Sequence, residues 1–368
     1  MTIDRPTLQP VDFVDVQELR SAAERVMPDA YRDFVDNAGM EETLLGDLAA
    51  WSELRLRPRA LTDVSRIDTA VTVLGQRIAT PIITAPFVGS TFVHEDGEAA
   101  TARGAASAGT ISTLSMMGSK TPEEVGAEAA GRYWQQLYWV RDRSILKDVV
   151  DRAVAAGASA LCLTVDLPVM PGFPARMRRA SEALRAEWDR EQHAMYVLRD
   201  YRDRPGGAFP DPGVGWSDLE WLAGLSALPI ILKGVIRPED ALLAQQHGAA
   251  AIIVSNHGGQ GLRSSMPVAH ALPAIVDAVG DDLEVLADSG IRTGFDVLRA
   301  LAIGARAVLV GRPVLWALAA GGAEGVERVL RVLTDELAEA MAITGVTRAA
   351  AVDPSVLATR FAAVGVER

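Results

Sequence analysis

The sequence predicts an α/β protein whose eight parallel strands, each followed by a helix, close into a barrel. Three observations support this prediction. Short runs rich in Val, Ile and Leu recur eight times along the 368 residues, and such continuous runs suit strands buried on both faces. Segments with the periodicity of amphipathic helices lie between the runs. Polar residues follow one strand after another, as they do at the mouth of a barrel.

Eight alternations of strand and helix favour a closed barrel over an open sheet. A doubly wound sheet is the alternative, but no G-x-G-x-x-G pattern opens a helix after the first strand. Among the amphipathic helical segments are residues 144–156, 238–247 and 293–301. The predicted strands comprise residues 81–85, 110–115, 132–138, 160–166, 229–234, 251–256, 284–289 and 307–311.

Two segments fall outside this repeat, and we treat the whole chain, 1–368, as one domain. Residues 1–80 form a predicted N-terminal helical extension, with amphipathic stretches at 14–26 and 41–50, packed against the barrel. The connection 167–228 is far longer than usual and contains a charged helical pattern. It predicts a lid over the site, because long barrel loops usually carry function. A solvated surface excursion is the alternative.

Composition narrows the class of partner. Lys and Arg number 36 against 48 Asp and Glu, and a net charge of -12 disfavours nucleic acid. The single cysteine, Cys162, lies in an apolar run and predicts a buried thiol rather than a metal site or disulfide. No apolar run reaches membrane-span length, and the N-terminus lacks a signal-peptide pattern. We therefore expect a cytoplasmic protein without metal that acts on a small molecule.

The ends of the seventh and eighth strands suit a phosphate. Gly290 and Gly311 allow backbone N–H groups to approach an anion, and Arg292 and Arg312 add guanidinium groups that can bind it in a bidentate manner. Barrels often bind phosphate with these two loops. Asp288 lies between strand and loop, where its carboxylate could accept hydrogen bonds from a sugar-like chain. The sequence thus predicts a phosphate-bearing ligand.

The sharpest motif, Ser255-Asn256-His257-Gly258-Gly259, ends the sixth strand. Imidazole titrates near neutral pH, and the two glycines leave the ring of His257 accessible, so it is the candidate general base. A structural histidine bonded to a loop carbonyl is the alternative. We prefer that interpretation for the other four, His94, His193, His247 and His270.

Nine short motifs match one known family in kind and in order. They are Ala85-Pro86, His94-Glu95-Asp96-Gly97-Glu98, Thr113-Leu114-Ser115, Gln136-Leu137-Tyr138, Leu163-Thr164-Val165-Asp166, Leu232-Lys233-Gly234, Ser255-Asn256-His257-Gly258-Gly259, Asp288-Ser289-Gly290-Ile291-Arg292 and Gly311-Arg312-Pro313. With them the chain resembles the flavin mononucleotide (FMN)-dependent 2-hydroxy acid oxidases and dehydrogenases, which oxidise glycolate, lactate or mandelate. The resemblance spans about residues 14 to 345. It implies an FMN oxidoreductase that assembles as a homo-oligomer, a tetramer or octamer.

The resemblance also assigns the cofactor contacts. Lys233 is expected near N1 and the C2 oxygen of the flavin, where a fixed cation stabilises the charge of the reduced ring. Asp288 is expected on the ribityl chain. The other expected FMN contacts are Ala85, Pro86 and the backbone to Val88 on one ring face, Ser115, Gln136 and Thr164 at the ring edge, Ser255, and Gly290, Arg292, Gly311 and Arg312 at the phosphate.

Besides Lys233, three residues are expected to carry the chemistry. By the resemblance, His257 takes the substrate proton while hydride or its equivalent passes to the flavin. Asp166 orients His257 and stabilises its imidazolium form, as a carboxylate does in hydrolase triads. Tyr138 donates a hydrogen bond to the substrate oxygen.

The chain departs from the family pattern where the substrate binds. The family binds the substrate carboxylate with two arginines, and both positions are changed in this chain. Gln260 stands where the first arginine would follow His-Gly-Gly, and Pro171-Gly172-Phe173 stands after the fourth strand where the family has Gly-Arg-Arg. Phe34 and Met117 replace aromatic residues of the pattern, and Val88 replaces a small one. Each lost charged hydrogen bond is worth roughly 1.5–3 kcal/mol. We therefore expect altered recognition and a larger or uncharged substrate bound through Phe34, Met117, Tyr138, Phe173, His257 and Gln260.

Other interpretations remain open. Arg176, Arg178, Arg179 or Arg263 could restore a carboxylate site from a shifted loop, giving a conventional 2-hydroxy acid oxidase. The substrate could also be an amine or an unusual alcohol. A non-redox barrel for a phosphorylated metabolite and a flavin-binding barrel with degenerate catalysis are the two other classes.

Overall fold

The computed structural model describes residues 12–36, 41–169, 174–188, 193–204 and 210–358. Three helices begin the chain: α1 (Val16–Glu24), α2 (Asp29–Val35) and α3 (Glu41–Glu53). Each packs inward through buried side chains, such as Leu19 and Trp51. The two amphipathic stretches expected near residues 14–26 and 41–50 are therefore helical, as predicted.

Residues 54–80 of the N-terminal extension are not helical, which corrects the prediction for that stretch. It contains a small antiparallel hairpin of β1 (Val71–Val73) and β2 (Gln76–Ile78). The turn places Leu74 and Gly75 at φ 47 and 77. Two successive residues of positive φ make the tight turn whose twist matches antiparallel strands. With only three residues in each strand, the apolar alternation was too short to detect.

Eight parallel strands form the centre of the molecule. They are β3 (Ile82–Thr84), β4 (Ser112–Ser115), β5 (Tyr133–Tyr138), β6 (Ala160–Thr164), β7 (Ile230–Val235), β8 (Ala251–Val254), β9 (Glu284–Ala287) and β10 (Val308–Val310). Their order in the sheet is β3-β10-β9-β8-β7-β6-β5-β4. The two ends meet where the Thr84 N–H donates to the Ile111 carbonyl at 3.1 Å. The predicted eight-stranded barrel is confirmed.

Most strands are shorter than the apolar runs predicted, and three of them, β6, β8 and β9, end two residues early. Strand β6 ends at Thr164 rather than residue 166, and β8 ends at Val254 rather than residue 256. Asp166, Asn256 and His257 lie beyond these points, whereas the Ser255 N–H still donates to the Val235 carbonyl of β7 at 3.3 Å. Those three side chains are therefore free to converge on one mouth of the barrel, where barrel enzymes place their active sites.

Helices surround the barrel and continue after it. They are α4 (Gly97–Ser107), α5 (Pro122–Glu128), α6 (Arg143–Ala155), α7 (Ala175–Trp188), α8 (Tyr196–Asp200), α9 (Asp218–Ala223), α10 (Pro238–Gln246), α11 (Val268–Val279), α12 (Gly294–Ile303) and α13 (Arg312–Thr344). Helices α7, α8 and α9 belong to the long connection after β6, so the charged pattern expected there is helical in large part. Helix α13 is kinked at Gly321 and Gly322, whose backbone angles are not helical.

Two smaller expectations can be compared with the structure. Cys162 is fully buried in β6, as predicted, and burial raises the pKa of its thiol to about 12. Within the described ranges, no helix has the length and apolar character needed to cross a membrane.

Candidate active site

A cavity of about 630 Å³ opens at the carboxyl ends of the barrel strands. Its volume lies in the range of sites for cofactors and small ligands. It collects most of the residues predicted from the sequence. Those that line it are Phe34, Ala85, Pro86, Val88, Ser115, Met117, Gln136, Tyr138, Thr164, Lys233, His257, Gln260, Asp288, Gly290, Arg292, Gly311 and Arg312.

Three predicted residues are placed differently. Ser255 is buried behind the cavity wall, where its Oγ accepts hydrogen bonds from Lys233 Nζ and from the His257 N–H, each at 3.0 Å. Asp166 is likewise behind His257 rather than on the wall. Phe173 lies outside the described residues. Ser255 thus supports two cavity residues instead of lining the cavity itself.

His257 and Asp166 form a hydrogen-bonded pair. His257 Nδ1 lies 2.9 Å from Asp166 Oδ1, and both side chains are largely buried. Burial alone would raise the pKa of Asp166, but the charge and hydrogen bond of His257 hold it below its ordinary value. An ionised carboxylate only accepts hydrogen bonds, so Nδ1 carries the proton. The other ring nitrogen, Nε2, is then left to accept a proton in the cavity.

The backbone around this pair is specialised. His257 has φ 60, a left-handed conformation that costs energy for a residue with a side chain and is typical of functional sites. Gly234 has φ 108, and the ladder of β7 with β8 changes register between Lys233 and Val235. A Cβ atom on Gly234 would lie 2.5 Å from Asp166 Cγ. Only glycine therefore leaves room for the Asp166 carboxylate.

Lys233 provides a buried positive charge on the cavity wall. Its Nζ lies 3.0 Å from Asp288 Oδ2, and both side chains are at least nine-tenths buried. Burial would lower the pKa of Lys233, but the negative charges of Asp288 and then Asp166 outweigh it and raise the pKa. Asp288 also accepts a 2.7 Å hydrogen bond from Ser289 Oγ. The ammonium group is therefore fixed in place and charged.

Polar side chains from β4, β5 and β6 stand side by side on the wall. Ser115 and Gln136 are paired in register across β4 and β5. Gln136 Nε2 donates to Thr164 Oγ1 at 2.9 Å and to the Leu137 carbonyl at 2.8 Å. Ser115 Oγ accepts from the Met117 N–H at 3.1 Å. These groups keep donors and acceptors at a fixed spacing, as a planar heterocycle with polar edges requires.

Tyr138, at the end of β5, faces the same cavity. Burial and then the charge of Asp166 raise the pKa of its hydroxyl above the ordinary value. The hydroxyl therefore stays protonated and can donate a hydrogen bond to a ligand oxygen.

Two buried guanidinium groups lie at the far end of the cavity. Arg312 donates to the carbonyls of Val35 and Gly258 at 2.9 and 3.0 Å, and Arg292 donates to the Ile291 carbonyl at 2.8 Å. Neither makes an ion pair within the part of the chain that the structure describes. Burial and then Arg312 lower the pKa of Arg292 to about 9, and burial lowers that of Arg312 to about 10.

These shifts express the cost of burying two cations close together. An anion between them would relieve that cost, and the glycines of the two loops let helix α3 and the Phe87 ring pack directly against the loop backbone. Gly290 has φ 80, and a Cβ there would lie 2.8 Å from the Asp47 Cβ. A Cβ on Gly311 would lie 3.0 Å from the Phe87 ring. This end of the cavity fits the phosphate of FMN, as the sequence predicted.

Helix α3 holds the loops of this site from outside, which the sequence did not indicate. The buried Asp47 accepts hydrogen bonds through both carboxylate oxygens from Asn256 Nδ2, at 2.9 and 2.8 Å, and a third from the Val268 N–H. Trp51 Nε1 donates to the Ser289 carbonyl at 2.8 Å. The helix thus clamps the loops after both β8 and β9. Neither residue has a sequence signal that links it to loops about 200 positions away.

The substrate side of the cavity differs from this polar end. Phe34, Met117 and Leu167 line it, and Gln260 occupies the position after Gly259 where the family pattern has arginine. Of the four arginines that could restore a carboxylate site, only Arg178 lines the cavity. Arg176 instead pairs with Asp33 of α2 at 2.7 Å. Arg179 and Arg263 are exposed and do not line it.

Helix α7 adds residues that the sequence reasoning missed. Ser181, Glu182 and Arg185 line the cavity together with Arg178. Their spacing of three, four and seven residues places them on one helical face, so the pattern was readable. Which way that face points could not be read without the fold.

None of the other four histidines lines the described cavity. Their partners include the Asp96 N–H for His94, Thr91 for His193 at 3.1 Å, Glu220 for His247 at 3.9 Å and Glu53 for His270 at 3.3 Å. They are structural or surface residues. The partners named here are side chains and an N–H group, not the loop carbonyls that were expected.

Known proteins resemble this one in sequence and in fold. The FMN-dependent dehydrogenase family matches residues 23–359. An L-lactate oxidase from a Nostoc strain is 42% identical over 361 residues, covering 95% of this chain and 98% of the relative.

Two solved structures of mandelate oxidase variants are also similar, each at 38% identity. One, with leucine in place of an arginine, contains 2-hydroxy-phenylacetamide; its TM-score is 0.84, covering 93% of this chain and 97% of that one. The other contains a C4a-OH-FMN adduct; its TM-score is 0.83, covering 91% and 97%.

These matches extend over nearly the whole chain and agree with the barrel. They confirm the family resemblance, the fold and the flavin cofactor expected from the motifs. The chain therefore belongs to the FMN-dependent dehydrogenase family, and it is an FMN-dependent oxidoreductase of the 2-hydroxy acid oxidase and dehydrogenase group.

Proposed function

We propose that this enzyme oxidises a carbon that bears a hydroxyl or amine group, on a substrate that is not held through a carboxylate beside that carbon. The observation that carries the proposal is Gln260 on the cavity wall. It stands three residues after His257, where the family pattern has an arginine. The proposed base, His257, is therefore retained, whereas the arginine that would bind a substrate carboxylate beside it is replaced by Gln260.

His257 is the proposed base. Its Nε2 accepts the proton of the substrate hydroxyl or amine, because Nδ1 is held by Asp166 at 2.9 Å. Asp166 stabilises the resulting imidazolium ion, and Tyr138 donates a hydrogen bond to the substrate oxygen. When bound, FMN accepts the two electrons and the hydrogen that leave the substrate carbon. General-base catalysis of this kind contributes about 10²–10⁴-fold to the rate.

Lys233 is proposed to stabilise negative charge on the cofactor. The ammonium group is buried and already positioned by Asp288 and Ser255, so no reorganisation is needed when charge develops. Arg292 and Arg312, with Gly290 and Gly311, would hold the phosphate. The remaining proposed cofactor contacts are Ala85, Pro86, Ser115, Gln136, Thr164 and Asp288, with Ser255 acting from behind.

The surroundings of the base support an uncharged reacting centre. A neutral amide such as Gln260 forms weaker hydrogen bonds with a carboxylate than a guanidinium does. Phe34 and Met117 offer none from their side chains. The mandelate oxidase variant that lacks an arginine contains 2-hydroxy-phenylacetamide, an uncharged amide, which agrees with this kind of ligand.

A conventional 2-hydroxy acid oxidase is the second candidate. It is favoured by one observation, that Arg178 lines the cavity and could meet a carboxylate there. The Nostoc relative, an L-lactate oxidase, is an enzyme of this kind. A flavin-binding barrel without turnover is the third candidate, and it predicts no reduction by any member of a broad panel.

Anaerobic reduction of the bound flavin separates these candidates. The purified holoenzyme is mixed with 2-hydroxy acids, with their amides and esters, and with alcohols and amines of equal size, and loss of the oxidised flavin absorbance is followed. We expect the uncharged members to reduce the flavin at least about tenfold faster than the matching acids. Faster reduction by the acids, lost in Arg178→Gln, would establish the conventional candidate instead.

The remaining expectations are proposals of the same kind. A single domain over residues 1–368 and a cytoplasmic location follow from the sequence pattern. A homo-oligomer, tetramer or octamer, follows from the family resemblance. Light scattering on the purified holoenzyme measures the oligomer, and a monomeric mass would refute it.

A further inference from the structure

Helix α7 presents charged side chains to the cavity. Arg178, Glu182 and Arg185 line it together with Ser181. At 3.6 residues per turn these positions lie within a narrow sector of the helix, and the rise of 1.5 Å per residue separates Arg178 from Arg185 by about 10 Å along the axis. The face is therefore long enough to meet a substrate group well away from the reacting carbon.

The orientation of this face is fixed by the packing of the helix. Met177, Ala180 and Leu184 are buried on a neighbouring sector of α7. Arg176, on another sector, pairs with Asp33 of α2 at 2.7 Å. The buried sector and the ion pair of Arg176 hold the helix in one orientation. In that orientation Arg178 and Arg185 face the cavity.

The charged groups of this face have no ion-pair partner in the part of the chain that the structure describes. Among the described residues, neither Arg178 nor Arg185 makes an ion pair or a side-chain hydrogen bond, and the same holds for Glu182. Spacings of three and four residues would allow Glu182 to pair with either arginine. Two guanidinium groups and one carboxylate leave a net positive charge directed at the ligand.

We infer that Arg178 and Arg185 bind an anionic group of the substrate that lies remote from the carbon oxidised beside His257. The inference rests on the proposed function, since it moves charge recognition from the reacting centre to α7. Glu182 lies between the arginines and opposes the anion, so it limits the site to a single negative group. The substrate class is then an alcohol or amine with a distal carboxylate or comparable anion.

Four six-carbon probes test the inference on the holoenzyme. They are 1-hexanol, 6-hydroxyhexanoate, 6-amino-1-hexanol and 2-hydroxyhexanoate, which carry no charge, a distal anion, a distal cation and a proximal anion. A ten-carbon set with the same charges covers a longer reach. Affinity is read from the perturbation of the oxidised flavin spectrum, and reaction from anaerobic flavin reduction. We expect the distal anion to bind at least about tenfold more tightly than the uncharged alcohol.

Variants on the same helix give the controls. Arg178→Gln with Arg185→Gln should remove the preference for the distal anion, with bound FMN retained. Arg179→Gln, an exposed arginine on α7 that does not line the cavity, should leave it unchanged. Glu182→Gln should strengthen the preference about two- to threefold, an opposite sign that a loss of folding would not produce.

The outcomes separate the inference from the proposed function. An equal or absent response to the uncharged alcohol and the distal anion at both chain lengths overturns the inference, as does a preference that survives in the double variant. Fastest flavin reduction by 2-hydroxyhexanoate would refute the proposed function. If a distal-anion preference that depends on the two arginines persisted beside it, the α7 assignment would stand.

Discussion

The two ends of the cavity are built in opposite ways. At the barrel end, Lys233 lies within β7, and Asp166, His257 and Asp288 follow the ends of three other strands. All four are largely buried, and they pair with one another at 2.9–3.0 Å. At the α7 end, charged side chains on a helix outside the strand repeat have no partner among the described residues. The contrast supports a division in which the barrel assembles the chemistry and, as proposed above, the long connection selects the substrate.

Removing the proposed base should have the largest effect on the rate of flavin reduction. It is also the most direct test of the claim that the barrel end of the cavity carries the chemistry. His257→Gln keeps a side chain of similar size but cannot take up the substrate proton. We expect flavin reduction by a good substrate to slow about 10³–10⁴-fold, with FMN still bound. Stopped-flow reduction measures it. Gln260→Ala, three residues on, is the comparison variant, and an equally large loss there would contradict the assignment.

Breaking the buried ion pair should come next. Lys233→Met leaves the Asp288 carboxylate buried without its cation, and removal of one partner of such a pair costs about 3–5 kcal/mol. We expect the free energy of unfolding of the holoenzyme to fall by that amount. Denaturant titration followed by flavin fluorescence measures it. Lys233→Met with Asp288→Asn removes both charges and should recover part of the loss; no recovery would show that the pair does not account for the effect.

The clamp by α3 predicts a pH dependence. Burial, opposed by hydrogen bonds from Asn256 and Val268, raises the pKa of Asp47 to about 6 from a reference of 3.8. The folded state therefore holds a proton that the unfolded state releases, and stability falls as pH rises from about 4 to about 6. The contribution of Asp47 amounts to at most about 3 kcal/mol.

In Asp47→Asn this contribution is absent, so unfolding of the variant should depend less steeply on pH in that window. The unfolding free energies of both proteins at several pH values provide the measurement. Asp277→Asn, at an exposed position of α11, serves as the control. Parallel pH curves for the wild type and Asp47→Asn would refute the role of Asp47.

The smallest expected effect concerns space behind the base. Gly234→Ala places a Cβ 2.5 Å from Asp166 Cγ, so the carboxylate must shift away from His257. We expect flavin reduction to slow about ten- to a hundredfold with little change in KM, since misplacement by about 1 Å is costly for catalysis. Gly215→Ala meets nothing within 4 Å and should be silent. Unchanged reduction in Gly234→Ala would mean that Asp166 does not orient the base.

The sequence predicted the barrel end of the cavity better than the α7 end, for physical reasons. A buried parallel strand must be apolar along its length, so each of the eight strands left a visible run, and the polar residue after it marked the mouth. Gly290 and Arg292 were recognised in that way. The roles of Asp47 and Trp51 could not be predicted, because their hydrogen bonds join α3 to loops far away along the chain. The orientation of Arg185 toward the cavity could not be predicted, because helical periodicity shows which residues share a face but not what that face packs against.

The paired guanidinium groups of Arg292 and Arg312 affect the stability of the folded chain before FMN binds. Two confined like charges without a direct ion-pair partner among the described residues penalise the compact state, and a doubly charged phosphate removes that penalty only when it binds. A ligand that binds the folded form alone stabilises it in proportion to the logarithm of its concentration. The supply of flavin in the cell would thus set how much of the newly made chain escapes proteolysis.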